Sequence, residues 1–231
     1  MLAGGFGTRL RSVVSDVPKP LAPVAGRPYL YYLIENWVAQ GVTRLVFLLH
    51  HRAEMIQRFL KQQEVLEMLK ECELHTLIES QPLGTGGAVA YAVQEFRLKE
   101  SFLVTNADTW LGKGVDKLVA TEIPAVGVVR VCDTERYGRV CIEQDRIVAF
   151  EEKKSNPEAG WINAGLYHLY ADLFNGWSGD PFSLEGELFP RLAGAGQLMA
   201  VPLQAEFIDI GIPNDYLRFC RWVESEKVGV L

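Results

Sequence analysis

Leu45-Val46-Phe47-Leu48-Leu49 runs without a single polar residue. Five residues are far too few to cross a bilayer, which takes about 20, but they are enough for a strand. Lacking polar alternation, such a strand must be covered on both faces, as in a parallel sheet with helices on either side. The flanking sequence agrees. Tyr29, Leu30, Leu33, Ile34, Trp37 and Val38 recur at helical spacing, and Gly41 closes that element. Residues 53–71 read as helix with room for a break, 74–78 as strand and 86–96 as helix. Residues 102–105 form another short buried strand that runs into Asn106-Ala107-Asp108. This alternation predicts an α/β fold, a Rossmann-like doubly wound and mostly parallel sheet. Ligands of such sheets sit at the carboxyl ends of the strands, which puts residues 4–9, the 81–87 loop and Asp108 on one rim.

The second half changes character. Residues 125–131, 138–143 and 146–150 read as strands separated by short turns such as Gln144-Asp145, and 161–170 as a further strand. Residues 184–192, with Ser183 as N-cap, and 213–224 read as helices. There is no linker, low-complexity stretch or internal repeat. The expectation is a single domain over 1–231 whose second half adds a more antiparallel lobe.

The composition, 48% hydrophobic and 23% charged, is that of a globular protein with a sizeable core. No basic stretch precedes an apolar segment at the start, so neither a signal peptide nor a membrane partner is expected. Cys72, Cys132, Cys141 and Cys220 are scattered without a CxxC pair. They suit reduced thiols in a cytoplasm better than disulfides or a zinc site. A net charge of −6 argues against a nucleic-acid surface. It leaves room for a nucleotide site, where a few local cations and a metal ion dominate.

Leu2-Ala3-Gly4-Gly5-Phe6-Gly7-Thr8-Arg9-Leu10, followed by Pro18-Lys19-Pro20, offers what a bound triphosphate asks for. Glycine lets backbone N–H groups approach phosphate oxygens. Arg9 supplies a planar fork and Lys19 a mobile point charge. Alone, the stretch reads equally as a turn beside two solvated cations. The buried strand that normally leads into a phosphate loop is here missing or cut to a stub. Asp108, and Asp209 within Phe207-Ile208-Asp209-Ile210-Gly211, each end an apolar stretch, where a carboxylate is costly unless paired or metal-bound. Two carboxylates converging from distant segments would suit Mg²⁺; taken singly, each also reads as a turn or cap residue.

Gln81-Pro82-Leu83-Gly84-Thr85-Gly86-Gly87-Ala88 is a second Gly-rich turn entering a helix, with backbone N–H groups expected to face an anion or a base edge. Phe150-Glu151-Glu152-Lys153 follows a strand, so one Glu and one Lys can face the rim. Asn163-Ala164-Gly165 and Tyr137-Gly138 would suit a hydroxyl-rich ligand close to the backbone. His50-His51 lacks a third zinc ligand, and His75 and His168 read as packed or paired. Neither a GxSxG elbow nor a GxxxxGK[ST] loop is present.

In this order, the glycine loop, Pro18-Lys19-Pro20-Leu21, the 82–88 turn, Asn106-Ala107-Asp108, Phe150-Glu151-Glu152-Lys153, Asn163-Ala164-Gly165 and Asp209-Ile210-Gly211 resemble the sugar-1-phosphate nucleotidyltransferase family over nearly the whole chain. The resemblance implies that family's GT-A-like fold, with 1–122 as the nucleotide-binding half and 123–231 as the sugar-phosphate-binding half. It implies that Leu2, Ala3, Gly4, Gly5, Gly7 and Thr8 cradle the nucleotide, that Arg9 takes the β- and γ-phosphates and that Lys19 takes the α-phosphate. Gln81, Gly84 and Thr85 would flank the base, and Asp108 and Asp209 would hold Mg²⁺. Glu152 and Asn163 would bind sugar hydroxyls near Gly138, and Lys153 the sugar phosphate. The reaction implied is in-line attack of a sugar-phosphate oxygen on the α-phosphorus, with pyrophosphate leaving. That nucleophile is already anionic, so alignment and cations matter more than a base.

Arg136-Tyr137-Gly138-Arg139-Val140, Phe150-Glu151-Glu152-Lys153, Phe182-Ser183 and the 207–213 stretch are most similar to the branch that uses GTP and D-glycero-α-D-manno-heptose 1-phosphate. The alternatives are the same chemistry on mannose or glucose 1-phosphate with GTP, dTTP or UTP, and a non-catalytic nucleotide-binding subunit. A homodimer is compatible with the resemblance. Ala107 stands where the family usually has Gly, which is tolerable only at negative φ.

Overall fold

The computed structural model describes residues 1–10, 12–151 and 158–228. Glu152 and Lys153, expected at the sugar phosphate, lie outside the described residues, as does the side chain of Thr8. In chain order the elements are β1 (Pro23–Val24), β2 (Arg27–Pro28), α1 (Tyr29–Ala39), β3 (Arg44–Leu49), α2 (Ala53–Leu60), α3 (Gln63–Met68), β4 (Glu73–Ile78) and α4 (Gly84–Glu95). They continue with β5 (Ser101–Thr105), β6 (Thr109–Leu111), α5 (Val115–Val119), β7 (Ala125–Val131), β8 (Arg139–Glu143), β9 (Arg146–Glu151) and β10 (Gly160–Tyr170). The last are α6 (Phe189–Gly194), β11 (Met199–Pro202), β12 (Phe207–Asp209) and α7 (Pro213–Val228). The helix expected over 53–71 is indeed two, because Gln62 adopts an extended ψ of 141° between α2 and α3. Among the described residues no helix is long and apolar enough to cross a membrane.

The chain forms two compact units, one of Met1–Gln81, Asn106–Gly112 and Phe207–Leu231, the other of Pro82–Thr105 and Lys113–Glu206. The 82–105 segment thus belongs with the strands of the second half. In the first unit β3 and β4 pair in parallel from Arg44↔Glu73 to Leu49↔Ile78. Phe47, Leu48 and Leu49 are all buried, so both faces of β3 are covered as its apolar run requires. The strand expected before the glycine loop is reduced to one residue. Leu2 bridges in parallel to Leu48 on one side and Asn106 on the other. Three backbone hydrogen bonds stitch it in: Ala3 N–H donates to the Leu48 carbonyl, Leu48 N–H to the Met1 carbonyl and Ala107 N–H to the Leu2 carbonyl, each at 2.9 Å. Ala107 is buried and absent from the residues at positive φ, so its methyl group carries no backbone strain.

Next to it, β6 and β12 pair antiparallel with Asp209 opposite Thr109, and Ile210 N–H donates to the Asp108 carbonyl at 3.0 Å. This short ladder carries the two aspartates from distant sequence into one neighbourhood. Behind it α1 and α7 share an aromatic core, with Phe219 4.8 Å from Tyr29 and 5.4 Å from Trp110, centroid to centroid.

The second unit is built on a six-stranded mixed sheet in the order β5-β10-β7-β11-β9-β8. Only β7 and β11 pair in parallel within it; the pairs of β10 with β5 and β7, of β9 with β8 and β11, and of β10 with β8 are antiparallel. The first five residues of β7, Ala-Val-Gly-Val-Val, are buried, as a strand in the middle of such a sheet demands. Between Asn163 and Tyr167 the register of β10 against β7 shifts, and Gly165 takes a φ of 70° there. Bulges of this kind re-aim side chains.

His168 on β10 is 3% exposed, and its Nδ1 lies 2.8 Å from Thr121 Oγ1. It is paired, as its strand position suggested. Burial pushes its pKa below the ordinary 6.5. The folded state then binds fewer protons than the unfolded one, so this contribution to stability is complete above 6.5 and is lost as pH falls from there towards the depressed value. Melting followed from pH 7.5 down to about 5 should show this acid loss, and His168→Gln should flatten it. An unchanged slope in the variant would assign the loss to other groups.

Candidate active site

The glycine loop leaves the Leu2 bridge and bends back over Lys19. Gly7 sits at φ 58°, and a Cβ there would stand 3.1 Å from the Cβ of Lys19. A Cβ on Gly4 would press on the Cβ and N of His50 at 3.2–3.3 Å. Gly7 is thus required by the protein itself, and at Gly4 a side chain would make His50 give by a few tenths of an ångström. Gly5 is different: its φ is not positive and nothing lies within 4 Å of a Cβ placed on it. The fold does not need glycine there, whereas a ligand lying on the loop backbone would. Gly5→Ala should therefore leave the melting temperature within about 1 °C, because surface changes away from packing features are near neutral. It should raise KM for a nucleoside triphosphate about ten-fold or more, the effect of losing one close polar contact. A normal KM would mean that no ligand approaches Gly5. Arg9 is exposed within the turn Thr8–Leu10, whose Leu10 is buried and anchors it.

Lys19 is the centre of the cluster. Its side chain is 8% exposed, and Nζ lies 2.7 Å from Asp108 Oδ2 and 3.6 Å from Asp209 Oδ1. Its backbone is held in the Lys19–Leu21 turn between Pro18 and Pro20. Asp108 also accepts from Thr109 Oγ1 at 3.2 Å, and Asp209 from the Gly211 N–H at 2.7 Å. Burial, and then the charge of Asp108, push the Asp209 carboxyl above its ordinary range, against the pull of Lys19, the Gly211 N–H and Arg9. Two carboxylates facing one ammonium leave a surplus negative charge. Tyr29 reports the same field: its buried hydroxyl has no hydrogen-bond partner, and its pKa is raised by burial and then by both aspartates.

Whether these residues fit a divalent cation is decided by the donor set. Hard oxygen donors, an uncompensated negative charge and partial burial match Mg²⁺, which takes one or two carboxylates and fills its remaining positions with water and phosphate oxygens. Among the described residues no three His, Cys, Asp or Glu side chains gather as an all-protein cage. Asp215, near Asp209 in sequence, pairs with Arg218 at 3.7 Å in the first turn of α7 instead. His50 points its Nδ1 at the Glu79 carbonyl, 3.1 Å away, and the His51 ring lies 5.1 Å from Phe6.

In the second unit the Gly-rich turn departs from expectation. The N–H groups of Gly86 and Gly87, expected to face an anion or base, both donate to the Phe182 carbonyl, at 2.9 and 3.3 Å. Gly84 and Gly86 are needed because Phe182 packs where a Cβ would be, 2.4 and 2.2 Å away. The turn's glycines therefore answer first to internal packing. Thr85 donates from Oγ1 to Glu185 at 2.7 Å and accepts from the Leu184 N–H at 2.9 Å. Asn163 lies at the β10 bulge, with Oδ1 accepting from the Gly165 N–H at 2.8 Å and Nδ2 donating to Tyr167 Oη at 3.0 Å. Gly138 precedes β8 at φ 74°, its N–H 3.3 Å from the Thr134 carbonyl. Gln81 is exposed at the end of the first unit's 1–81 segment.

The structure thus brings Gly4, Gly7, Lys19, Asp108 and Asp209 together in the first unit, and Thr85 and Asn163 into one hydrogen-bonded set in the second. Sequence reasoning missed Glu185, which links that set, and Glu79, buried beside the glycine loop with Oε1 3.5 Å from a Cβ on Gly4. Glu79 carried the signal that marked Asp108, a carboxylate directly after an apolar strand. Glu185 carried none, since a Glu in the first turn of a helix reads as a dipole-compensating residue.

Known proteins match this arrangement along its length. A family model described as nucleotidyl transferase matches residues 1–226. The D-glycero-alpha-D-manno-heptose 1-phosphate guanylyltransferase of Campylobacter jejuni is 34% identical, covering 95% of this chain and 96% of its own length. A mannose-1-phosphate guanyltransferase beta-B of Xenopus laevis is 32% identical over 98% of this chain, which spans 65% of that protein. Among solved structures, HddC from Yersinia pseudotuberculosis complexed with GMP-PN superposes with a TM-score of 0.85 at 33% identity, covering 96% of this chain and 97% of that one.

Proposed function

The chain belongs to the nucleotidyl transferase family, and on that premise we propose that it transfers GMP from GTP to D-glycero-α-D-manno-heptose 1-phosphate, releasing pyrophosphate. The observation that carries this reading is the Lys19 ammonium held between Asp108 and Asp209 beneath a glycine loop with an open face at Gly5. Asp108 and Asp209 would hold Mg²⁺, which when bound supplies a Lewis acid for phosphoryl oxygens. Lys19, freed from part of its carboxylate pairing, binds and orients the α-phosphate. Arg9 grips the outer phosphates as a fork. Leu2, Ala3, Gly4, Gly5, Gly7 and Thr8 line the nucleotide's path, with Gln81, Gly84 and Thr85 at the base. Asn163, Gly138 and Glu152 take the sugar hydroxyls and Lys153 its phosphate. None of these groups has to accept a proton from the nucleophile, because a sugar phosphate is already an anion at neutral pH.

The guanine and heptose assignments rest on the two-chain coverage of the Campylobacter jejuni relative, 95% and 96%, and on the likeness to HddC in complex with GMP-PN. Mannose 1-phosphate as acceptor is the second reading, favoured by the 32% identity to the Xenopus laevis protein. A pyrophosphate-release panel crossing four nucleoside triphosphates with heptose, mannose and glucose 1-phosphates separates them. The highest kcat/KM is expected for GTP with the manno-configured heptose, and only with Mg²⁺ present. Preference for mannose 1-phosphate would move the acceptor assignment, and no release with any pair would leave a non-catalytic nucleotide-binding subunit.

A further inference from the structure

Glu185 sits in a π-helical turn, Leu184–Leu188, that opens the segment leading into α6. Single π turns are frequent at functional positions. Here the wider turn shows in the capping: Ser183 Oγ accepts from the Gly186 N–H at 3.0 Å, while its own N–H donates to Glu187 Oε1 at 3.0 Å, one residue further along than in an ordinary capping box. The turn aims Glu185 back at the sheet. Its Oε2 accepts from Thr85 Oγ1 at 2.7 Å and from Ser183 Oγ at 3.2 Å, and its Oε1 accepts from Tyr167 Oη at 3.1 Å.

An ionised carboxylate only accepts, so it sets the direction of every hydroxyl around it. Tyr167 donates to Glu185 and therefore turns a lone pair to Asn163, whose Nδ2 fills it at 3.0 Å. At the other end of the same amide, Asn163 Oδ1 meets the Gly165 N–H at 2.8 Å, which only an oxygen can accept. The amide is thereby fixed in one orientation, with one N–H and one oxygen lone pair left over for a ligand. We propose that Glu185 is a positioning residue: through Tyr167 it orients the Asn163 amide for an acceptor sugar's hydroxyls, and through Thr85 it fixes the turn at the nucleotide base. The inference rests on the sugar-binding role proposed for Asn163.

The test separates the two arms. Tyr167→Phe removes one hydroxyl and leaves its ring, which packs 4.9 Å from Phe189. It should raise KM for the sugar 1-phosphate about ten-fold, the worth of one oriented polar contact, with KM for GTP within two-fold and the melting temperature within about 2 °C. Glu185→Ala should raise both KM values, and Glu185→Gln, which keeps one acceptor, should fall between. Equal KM changes for both substrates in Tyr167→Phe, or none in either, would overturn the inference while leaving the transferase standing. A wild-type protein that turns over no pair would take down both.

Discussion

Asp209→Asn is expected to lower kcat/KM for nucleotidyl transfer by about 10³-fold or more and, at the same time, to raise the melting temperature of the metal-free protein. The first effect follows from losing one of two carboxylates proposed to hold the divalent cation, whose charge stabilisation is worth several kcal/mol, at 1.36 kcal/mol per decade. The second follows from electrostatics. Burial and the charge of Asp108 push the Asp209 carboxyl above its ordinary 3.8. A raised folded value means that the native state binds more protons than the unfolded chain, so stability falls as pH rises through that window and the ionised form is a cost at neutral pH. Asparagine keeps an oxygen to accept the Gly211 N–H and removes the repulsion, while Lys19 keeps Asp108 at 2.7 Å. Rates of pyrophosphate release check the first half, and melting curves with and without Mg²⁺ the second. Wild type should rise on adding Mg²⁺, and the variant should start higher and rise less. A variant that melts lower without metal, or keeps its rate with it, would remove Asp209 from the proposed cation site.

Gly84→Ala is expected to damage the second unit. Gly84 has a φ of 71°, and a Cβ there would lie 2.4 Å from the backbone oxygen of Phe182. The left-handed conformation costs a non-glycine residue about 1–2 kcal/mol, and forcing apart a close-packed backbone adds about 1–3 kcal/mol. Together about 3 kcal/mol corresponds to a drop of roughly 6–12 °C in a domain of this size. Gly179 supplies the control: its φ is 102°, but nothing stands within 4 Å of a Cβ placed on it. Gly179→Ala should show the conformational cost alone. Similar losses in the two variants would mean that the chain at Phe182 yields, and that the turn is not held by packing.

The elements were readable where side-chain period alone decides them. The apolar run of β3 and the buried start of β7 need nothing beyond their neighbours in sequence to be recognised. Asp108 and Asp209 were readable as charges placed where burial would penalise them, so that each demanded a partner, whereas Lys19 was readable only as a cation following a glycine loop. The 84–87 turn was ambiguous because glycine serves a close ligand and close packing equally well. Only the position of Phe182, far off in sequence, shows that packing applies, through its backbone at Gly84 and its ring at Gly86. The bulge that aims Asn163 is likewise set by the pairing of β10 with β7, and the π turn that aims Glu185 by its contacts with Thr85 and Tyr167, distant in sequence. Neither leaves a local pattern. The Leu2 bridge lies between these cases: the missing strand was evident, but its repair by Leu48 and Asn106 comes from the β3 ladder beside it.

The most direct test of nucleotidyl transfer follows one atom. The acceptor 1-phosphate is prepared with heavy oxygen in its phosphate, incubated with GTP and Mg²⁺, and the products are read by phosphorus NMR. Attack by the sugar-phosphate oxygen on the α-phosphorus predicts heavy oxygen in the bridge between the two phosphates of GDP-sugar and none in pyrophosphate. Label in pyrophosphate, or a light bridge, would contradict it.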